Sequence, residues 1–301
     1  MKTLPCVPKI RSLAKINLDL RVLDRRPDGY HNLTTIFQTV SLADTIEIDY
    51  VPARRLTVDL DSNPPIPGNL IEKAAEILGI PGRFTIRLTK RIPMGAGLGG
   101  GSSNAAATLL AIPALTGKNV PLEKLADLAS QLGSDVPFFL LGGTALGLGR
   151  GTELHPLPDF KPFPAIIVTP GIHVSTAEAY AAIDRLRHDA ARGTKNADLP
   201  SNDFEAVVFP LHRQLKLVKG RLLDLGAELA LMLGSGSALF GIFAHREKRD
   251  SAVVSLRREL GYDRVFPVSL VGRGAYRSLW WRQLRASGKL KTWPPQDRYA
   301  R

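Results

Sequence analysis

Apolar and polar residues alternate along Ile16, Leu18, Leu20 and Val22, a period of two that predicts a half-buried strand. The same alternation recurs over Thr45–Tyr50 and Leu56–Leu60, and Arg83–Leu88 reads as a further strand. Between the first two, Asp24–Tyr30 is a turn-rich loop pivoting on Pro27-Asp28-Gly29. Helical spacing appears over Asn69–Leu78, and the Ala- and Leu-rich run Ser103–Leu115 and the segment Leu122–Leu132 also predict helices. Pro156, Pro158, Pro162 and Pro164 then favour an extended connection, which sets a domain boundary near 155–164. Beyond it the pattern predicts a strand at Ala165–Thr169, a helix at Thr176–Leu186 and a polar loop at Arg187–Ser201. Helices at Asp203–Phe209 and Leu211–Leu225, a strand pair around Gly234, a helix at Glu247–Leu260 and a strand at Arg264–Val268 follow. No repeat or low-complexity tract interrupts this order. Mixed strands and helices in both halves predict an α+β, two-domain protein.

Composition adds limits. The 301 residues are 44% hydrophobic and 23% charged, which is globular and excludes a largely disordered chain. Cys6 stands alone, so an intrachain disulfide and a multi-cysteine metal site are excluded and a reducing, cytoplasmic setting is expected. The apolar stretch Val136–Leu148 is too short for a bilayer and is broken by Gly142, Gly143 and Gly147; no membrane association is expected. The formal net charge is +12, and Gly272–Arg301 carries eight Lys and Arg against the single acid Asp297. That segment also holds Trp280, Trp281 and Trp293. A basic aromatic tail has two readings: a nucleic-acid or anionic surface contact, or an appended helix over Ser278–Ser287 that packs its Trp and Leu residues and solvates its arginines. The second is preferred, and a nucleic-acid partner is not expected.

The chemistry concentrates in Pro93-Met94-Gly95-Ala96-Gly97-Leu98-Gly99-Gly100-Gly101-Ser102-Ser103, between a strand and a helix start. Five glycines permit close backbone approach to a ligand, and the free N–H groups of the following helix favour an anion, above all a polyphosphate. Ser102 and Ser103 add hydroxyls. The loop is no Walker A sequence, because Gly101 stands where Lys is required. Gly95, Gly97 and Gly100 match a dinucleotide fingerprint, but Leu122–Leu132 reads as helix where that motif needs a second strand. Protein-kinase signature motifs are missing downstream.

This loop resembles the phosphate loop of the GHMP kinases, the galactokinase, homoserine kinase and mevalonate kinase superfamily. The resemblance extends to Ala14-Lys15-Ile16-Asn17-Leu18 and to Leu233-Gly234-Ser235-Gly236-Ser237-Ala238. Lys15–Leu18, Arg26–Leu33 and Leu132–Phe139 are most similar to the branch that phosphorylates the 2-hydroxyl of a cytidine diphosphate-linked methylerythritol in the non-mevalonate isoprenoid route. The resemblance implies an N-terminal mixed α/β phosphate-loop domain over 1–158, a ferredoxin-like C-terminal domain over 159–275 and a basic tail over 276–301. It implies ATP along 93–103, with Asn69 and Lys90 near the adenine and Mg²⁺ carried on the phosphates, no protein ligand to the metal being named.

The same resemblance sets Lys15 and Asp135 face to face at the phosphoryl acceptor. Asp135 would take the proton of the attacking hydroxyl, while Lys15 would hold the carboxylate and add positive charge near the transferring group. Taken alone, Lys15 is also readable as an exposed strand charge and Asp135 as an N-cap before Pro137. Tyr30 and His31 would bind the cytosine, with Tyr180 as a second aromatic over the base; turn residues and a buried helix face are their plainer readings. Asn17 shares a strand face with Lys15 by alternation and is readable as a substrate contact or as a satisfied structural Asn. Gly234, Ser235 and Gly236 would form a second glycine loop that closes on the substrate site and brackets the phosphates, or a plain hairpin turn. Leu233 departs from the Ser or Thr of close relatives, which removes a hydroxyl there.

Overall fold

A computed structural model describes residues 8–189 and 200–285. Cys6, residues 190–199 of the polar 187–201 segment and Trp293 fall outside the described residues. Two long strands, β1 (Lys9–Arg25) and β2 (His31–Val51), form a hairpin closed where the Arg26 N–H donates to the Tyr30 carbonyl at 2.7 Å. On its other edge β2 pairs with β4 (Gly82–Thr89) along its C-terminal half and with β5 (Thr144–Leu148) along its N-terminal half. β3 (Leu56–Asn63) lies parallel to β4, and β6 (Glu153–Pro156) completes the sheet beside β5. Alternation shows only the 45–50 part of β2, because Phe37–Val40 are buried on both faces and no polar side marks the period.

Helices α1 (Leu70–Leu78), α2 (Gly100–Thr116), α3 (Leu122–Leu132) and α4 (Val136–Leu141) cover this sheet. Asn69 starts α1 by accepting the Ile71 N–H at 3.1 Å, and left-handed Gly79 ends it. α2 is buried on all sides from Ser103 to Leu115, so its Ala-rich sequence lets neighbouring elements approach its axis closely. The apolar stretch 136–148 is α4 followed by β5, parted at Gly142 and Gly143, both at positive φ.

The second half has the order β7 (Pro164–Val168), α5 (Thr176–Asp189), α6 (Glu205–Leu211), α7 (Arg213–Asp224), β8 (Leu229–Met232), β9 (Leu239–Ile242), α8 (Arg246–Leu260) and β10 (Val265–Ser269). Its sheet order β10-β7-β9-β8, antiparallel throughout, is ferredoxin-like. The two sheets share a core: Ala14, Ile16 and Leu18 of β1 pack with Ile167, Leu231 and Phe240. The last described helix, α9 (Arg273–Arg285), starts five residues before the expected Ser278. Its Tyr276, Trp280 and Leu284 enter the first core with Phe138 and Phe139.

Candidate active site

β1 passes through both halves and carries Lys15 and Asn17 into the seam. Its ladder with β2 shifts register between Leu13 and Lys15, and there the Lys15 N–H donates to the carbonyl of Leu98 in the glycine loop, at 3.1 Å. The strand is thereby tied to the loop at the residue whose side chain matters. The Lys15 ammonium is buried, donates to Asn17 Oδ1 at 2.8 Å and lies 5.4 Å from the Phe37 ring centre. Asn17 Nδ2 donates in turn to Thr35 Oγ1 at 2.7 Å, and Thr35 donates to the Asp19 carbonyl. Both ends of the Asn17 amide are therefore engaged, and one of them aims Lys15.

Asp135 stands at the start of α4, but its carboxylate makes no capping bond. Its Oδ2 is 3.5 Å from Lys15 Nζ, and its side chain remains 34% exposed. Pro137 in the first turn removes one N–H that a cap would otherwise serve. The carboxylate is thus turned to the ammonium and to solvent, open to an incoming hydroxyl.

The glycine loop bends through left-handed Gly95, Gly97 and Gly99. A Cβ on Gly97 would stand 2.8 Å from the carbonyl oxygen of Leu233, and one on Gly99 would meet the Phe139 ring at 2.8 Å. The loop is therefore pressed between the second glycine loop and α4, with the N-terminus of α2 directly behind it. A cavity of about 340 Å³ runs along it, lined by residues 93–102 together with Asn69, Lys90 and Asn104. Asn69 Nδ2 is buried there with no hydrogen-bond partner among the described residues, a donor suited to an acceptor atom on a bound base. Lys90 is paired with buried Asp44, whose other oxygen accepts the N–H groups of Arg91 at 2.7 Å and Ile92 at 2.8 Å. Ser103 does not face the cavity as the sequence suggests. Its hydroxyl donates to the Leu13 carbonyl at 2.6 Å, which leaves Ser102 as the hydroxyl at the loop.

At the other end of the seam, His31 stacks on Tyr180 with ring centres 4.8 Å apart, and Phe204 meets Tyr180 edge-on at 4.8 Å. His31 Nε2 is 2.7 Å from Asp184 Oδ1, so that nitrogen is held by the protein rather than offered to a ligand. Burial pushes the Tyr180 phenol above its ordinary pKa, and the negative charge of Asp135 adds to the push. The Asp135 carboxylate thus acts electrostatically on Tyr180. Tyr30 is exposed and covered on one face by the Arg150 guanidinium, 3.7 Å from its ring centre. Gly234, Ser235 and Gly236 join β8 to β9; Ser235 Oγ is 2.7 Å from Thr176 Oγ1, and Leu233 is wholly buried, filling core where a hydroxyl would be idle. Asp44, Arg150, Asp184 and Asn202 escape sequence reading, because each acts on groups far away in the chain.

Two stretches match known family profiles: GHMP kinases N terminal domain over 69–143 and GHMP kinases C terminal over 179–263. The chain belongs to the GHMP kinase family. This GHMP kinase is 49% identical to a 4-diphosphocytidyl-2-C-methyl-D-erythritol kinase of Solibacter usitatus, over 96% of this chain and 97% of that one. It is 44% identical to the protein of the same description from Moorella thermoacetica, over 77% of this chain and 89% of the other. Among solved structures, a crystal structure of 4-(cytidine 5'-diphospho)-2C-methyl-D-erythritol kinase superposes with a TM-score of 0.74 at 39% identity, covering 88% of this chain and 99% of that one. Among the described residues of this GHMP kinase, no helix is long and apolar enough to cross a membrane, and no group of three or more His, Cys, Asp or Glu gathers as a metal site.

Proposed function

We propose that this GHMP kinase transfers the γ-phosphoryl group of ATP to the 2-hydroxyl of 4-diphosphocytidyl-2-C-methyl-D-erythritol, in the cytoplasm, as a step of isoprenoid precursor synthesis. The observation that carries this reading is the Lys15–Asp135 pair, 3.5 Å apart and tied through the Lys15 backbone to the glycine loop. The triphosphate fits along the loop against the N–H groups that open α2, with the adenine beside Asn69 and Lys90. The hydroxyl oxygen forms the new bond to the γ-phosphorus, the bond from phosphorus to the β–γ bridging oxygen breaks, and the hydroxyl proton passes to Asp135. Lys15 steadies that carboxylate and stabilises the negative charge on the transferring group. Mg²⁺ carried on the phosphates would supply charge neutralisation there. The cytosine end fits against Tyr180, with His31 and Tyr30 as its neighbours.

The test is a steady-state assay of ADP release with Mg·ATP and the cytidine diphosphate-linked alcohol, set beside homoserine and mevalonate. Turnover confined to the CDP-linked alcohol is expected, and turnover with one of the others instead refutes the substrate. Asp135→Asn is expected to lower kcat by about 10²- to 10⁴-fold with ADP affinity retained; an unchanged kcat removes Asp135 from the mechanism.

A further inference from the structure

Ser201, Asn202 and Asp203 form a clamp between the strand that carries Lys15 and the second glycine loop. On the β1 side, the Leu20 N–H donates to the Ser201 carbonyl at 2.8 Å, and the Asp203 N–H donates to the Leu20 carbonyl at 3.0 Å. Asp19 Oδ1 also accepts the Ser201 N–H at 2.7 Å. On the other side, the Asn202 amide nitrogen donates to the carbonyls of Met232 at 2.8 Å and Gly234 at 2.7 Å. Its oxygen accepts the Phe204 N–H at 3.0 Å. Asn202 is buried, so every polar atom of its amide is engaged in holding backbone.

This matters because a trans peptide group is rigid, and its C=O and N–H point in opposite directions. Holding the Gly234 carbonyl toward Asn202 turns the Ser235 N–H the other way. Gly234 has φ +54, a left-handed conformation that glycine takes without strain. We infer that Asn202 is a positioning residue which, by holding the Met232 and Gly234 carbonyls, turns the Ser235 amide N–H toward the diphosphate of the CDP-linked alcohol. The inference rests on the function proposed above. Asn202 touches no reacting atom; it acts through the peptide it holds.

Asn202→Ala removes both donors, and Asn202→Asp keeps the acceptor for Phe204 while turning the donor into an oxygen that faces two carbonyls. In Asn202→Ala, kcat/KM for the CDP-linked alcohol is expected to fall about tenfold, the cost of one good hydrogen bond, while ADP affinity by calorimetry stays within about twofold. In Asn202→Asp the loss is expected to be deeper at pH 8 and to shrink, relative to wild type, as pH falls, because a protonated carboxyl regains one donor. Gly234→Ala disturbs the same peptide from the loop side, where its new methyl meets nothing within 4 Å, and is expected to repeat the alcohol-selective loss even if both Asn202 variants prove too unstable to assay. Unchanged kcat/KM for the alcohol, or ADP affinity falling in parallel with it, overturns the inference. A wild-type enzyme silent with the CDP-linked alcohol overturns instead the function on which it rests.

Discussion

At the residue scale, the site depends on groups whose state is set by their neighbours. Tyr180 shows this most directly. Burial and the Asp135 charge both disfavour its phenolate, so its pKa in the folded protein lies above that of the unfolded chain. The neutral phenol is favoured by folding; the contribution is complete below about pH 10 and is lost as pH rises through the folded value. Fully buried Tyr276 is pushed upward by burial alone. The midpoint of urea unfolding is therefore expected to fall above about pH 10, and Tyr180→Phe to flatten that fall; an equal slope in the two proteins defeats the assignment. Lys15 and Asp135 were legible in the sequence only through motif resemblance, since a lone Lys in a strand and an Asp before Val-Pro have ordinary readings. Asp184 and Asn202 left no local signal. Each is an unremarkable polar residue in its own segment, and its meaning arises from a partner more than 25 positions away.

At the element scale, the glycine loop works by contact with its surroundings as much as by its own shape. Gly95 and Gly97 have similar left-handed backbones, φ +69 and +74, but a Cβ on Gly95 meets nothing within 4 Å while one on Gly97 strikes the Leu233 carbonyl. Gly95→Ala is then expected to cost only the left-handed strain of about 1–2 kcal/mol. Gly97→Ala adds a clash against backbone that moves the two glycine loops apart, so its loss of kcat/KM is expected to exceed that of Gly95→Ala by at least about tenfold. Equal losses in the two variants, read from steady-state kinetics at matched thermal stability, mean that the contact between the loops is unimportant. Elements with one wet face were readable from period alone, as α1 and β4 were. The Phe37–Val40 stretch of β2 and α4 were not, because burial on all sides erases the period that distinguishes strand from helix.

At the scale of the whole molecule, the last described helix, α9, packs into the first core and against the elements that carry Lys15 and Asp135. The Tyr276 hydroxyl donates to the Phe139 carbonyl at 2.6 Å, within the short helix that Asp135 opens. The Tyr276 ring lies where a Cβ on Gly142 would be, so α9 and the end of α4 are in contact closer than any side chain at 142 allows. Gln283 accepts the Arg11 N–H at 3.1 Å, which adds a bond to the strand bearing Lys15. This geometry decides what Trp280 does. At 1% exposure it has no free face on which a nucleic-acid base could stack, and it serves as core. Trp280→Ala is expected to lower stability by about 3–5 kcal/mol, the usual cost of removing a buried aromatic ring, measured by urea unfolding at neutral pH. Tyr276→Phe keeps the packing and removes the hydroxyl that bonds the Phe139 carbonyl. It is expected to cost about 1 kcal/mol and to lower kcat more than it raises either KM, because the element displaced carries Asp135. A Trp280→Ala protein as stable as wild type, or a Tyr276→Phe enzyme whose kcat is unchanged, removes α9 from the catalytic frame and returns it to the role of an appendage.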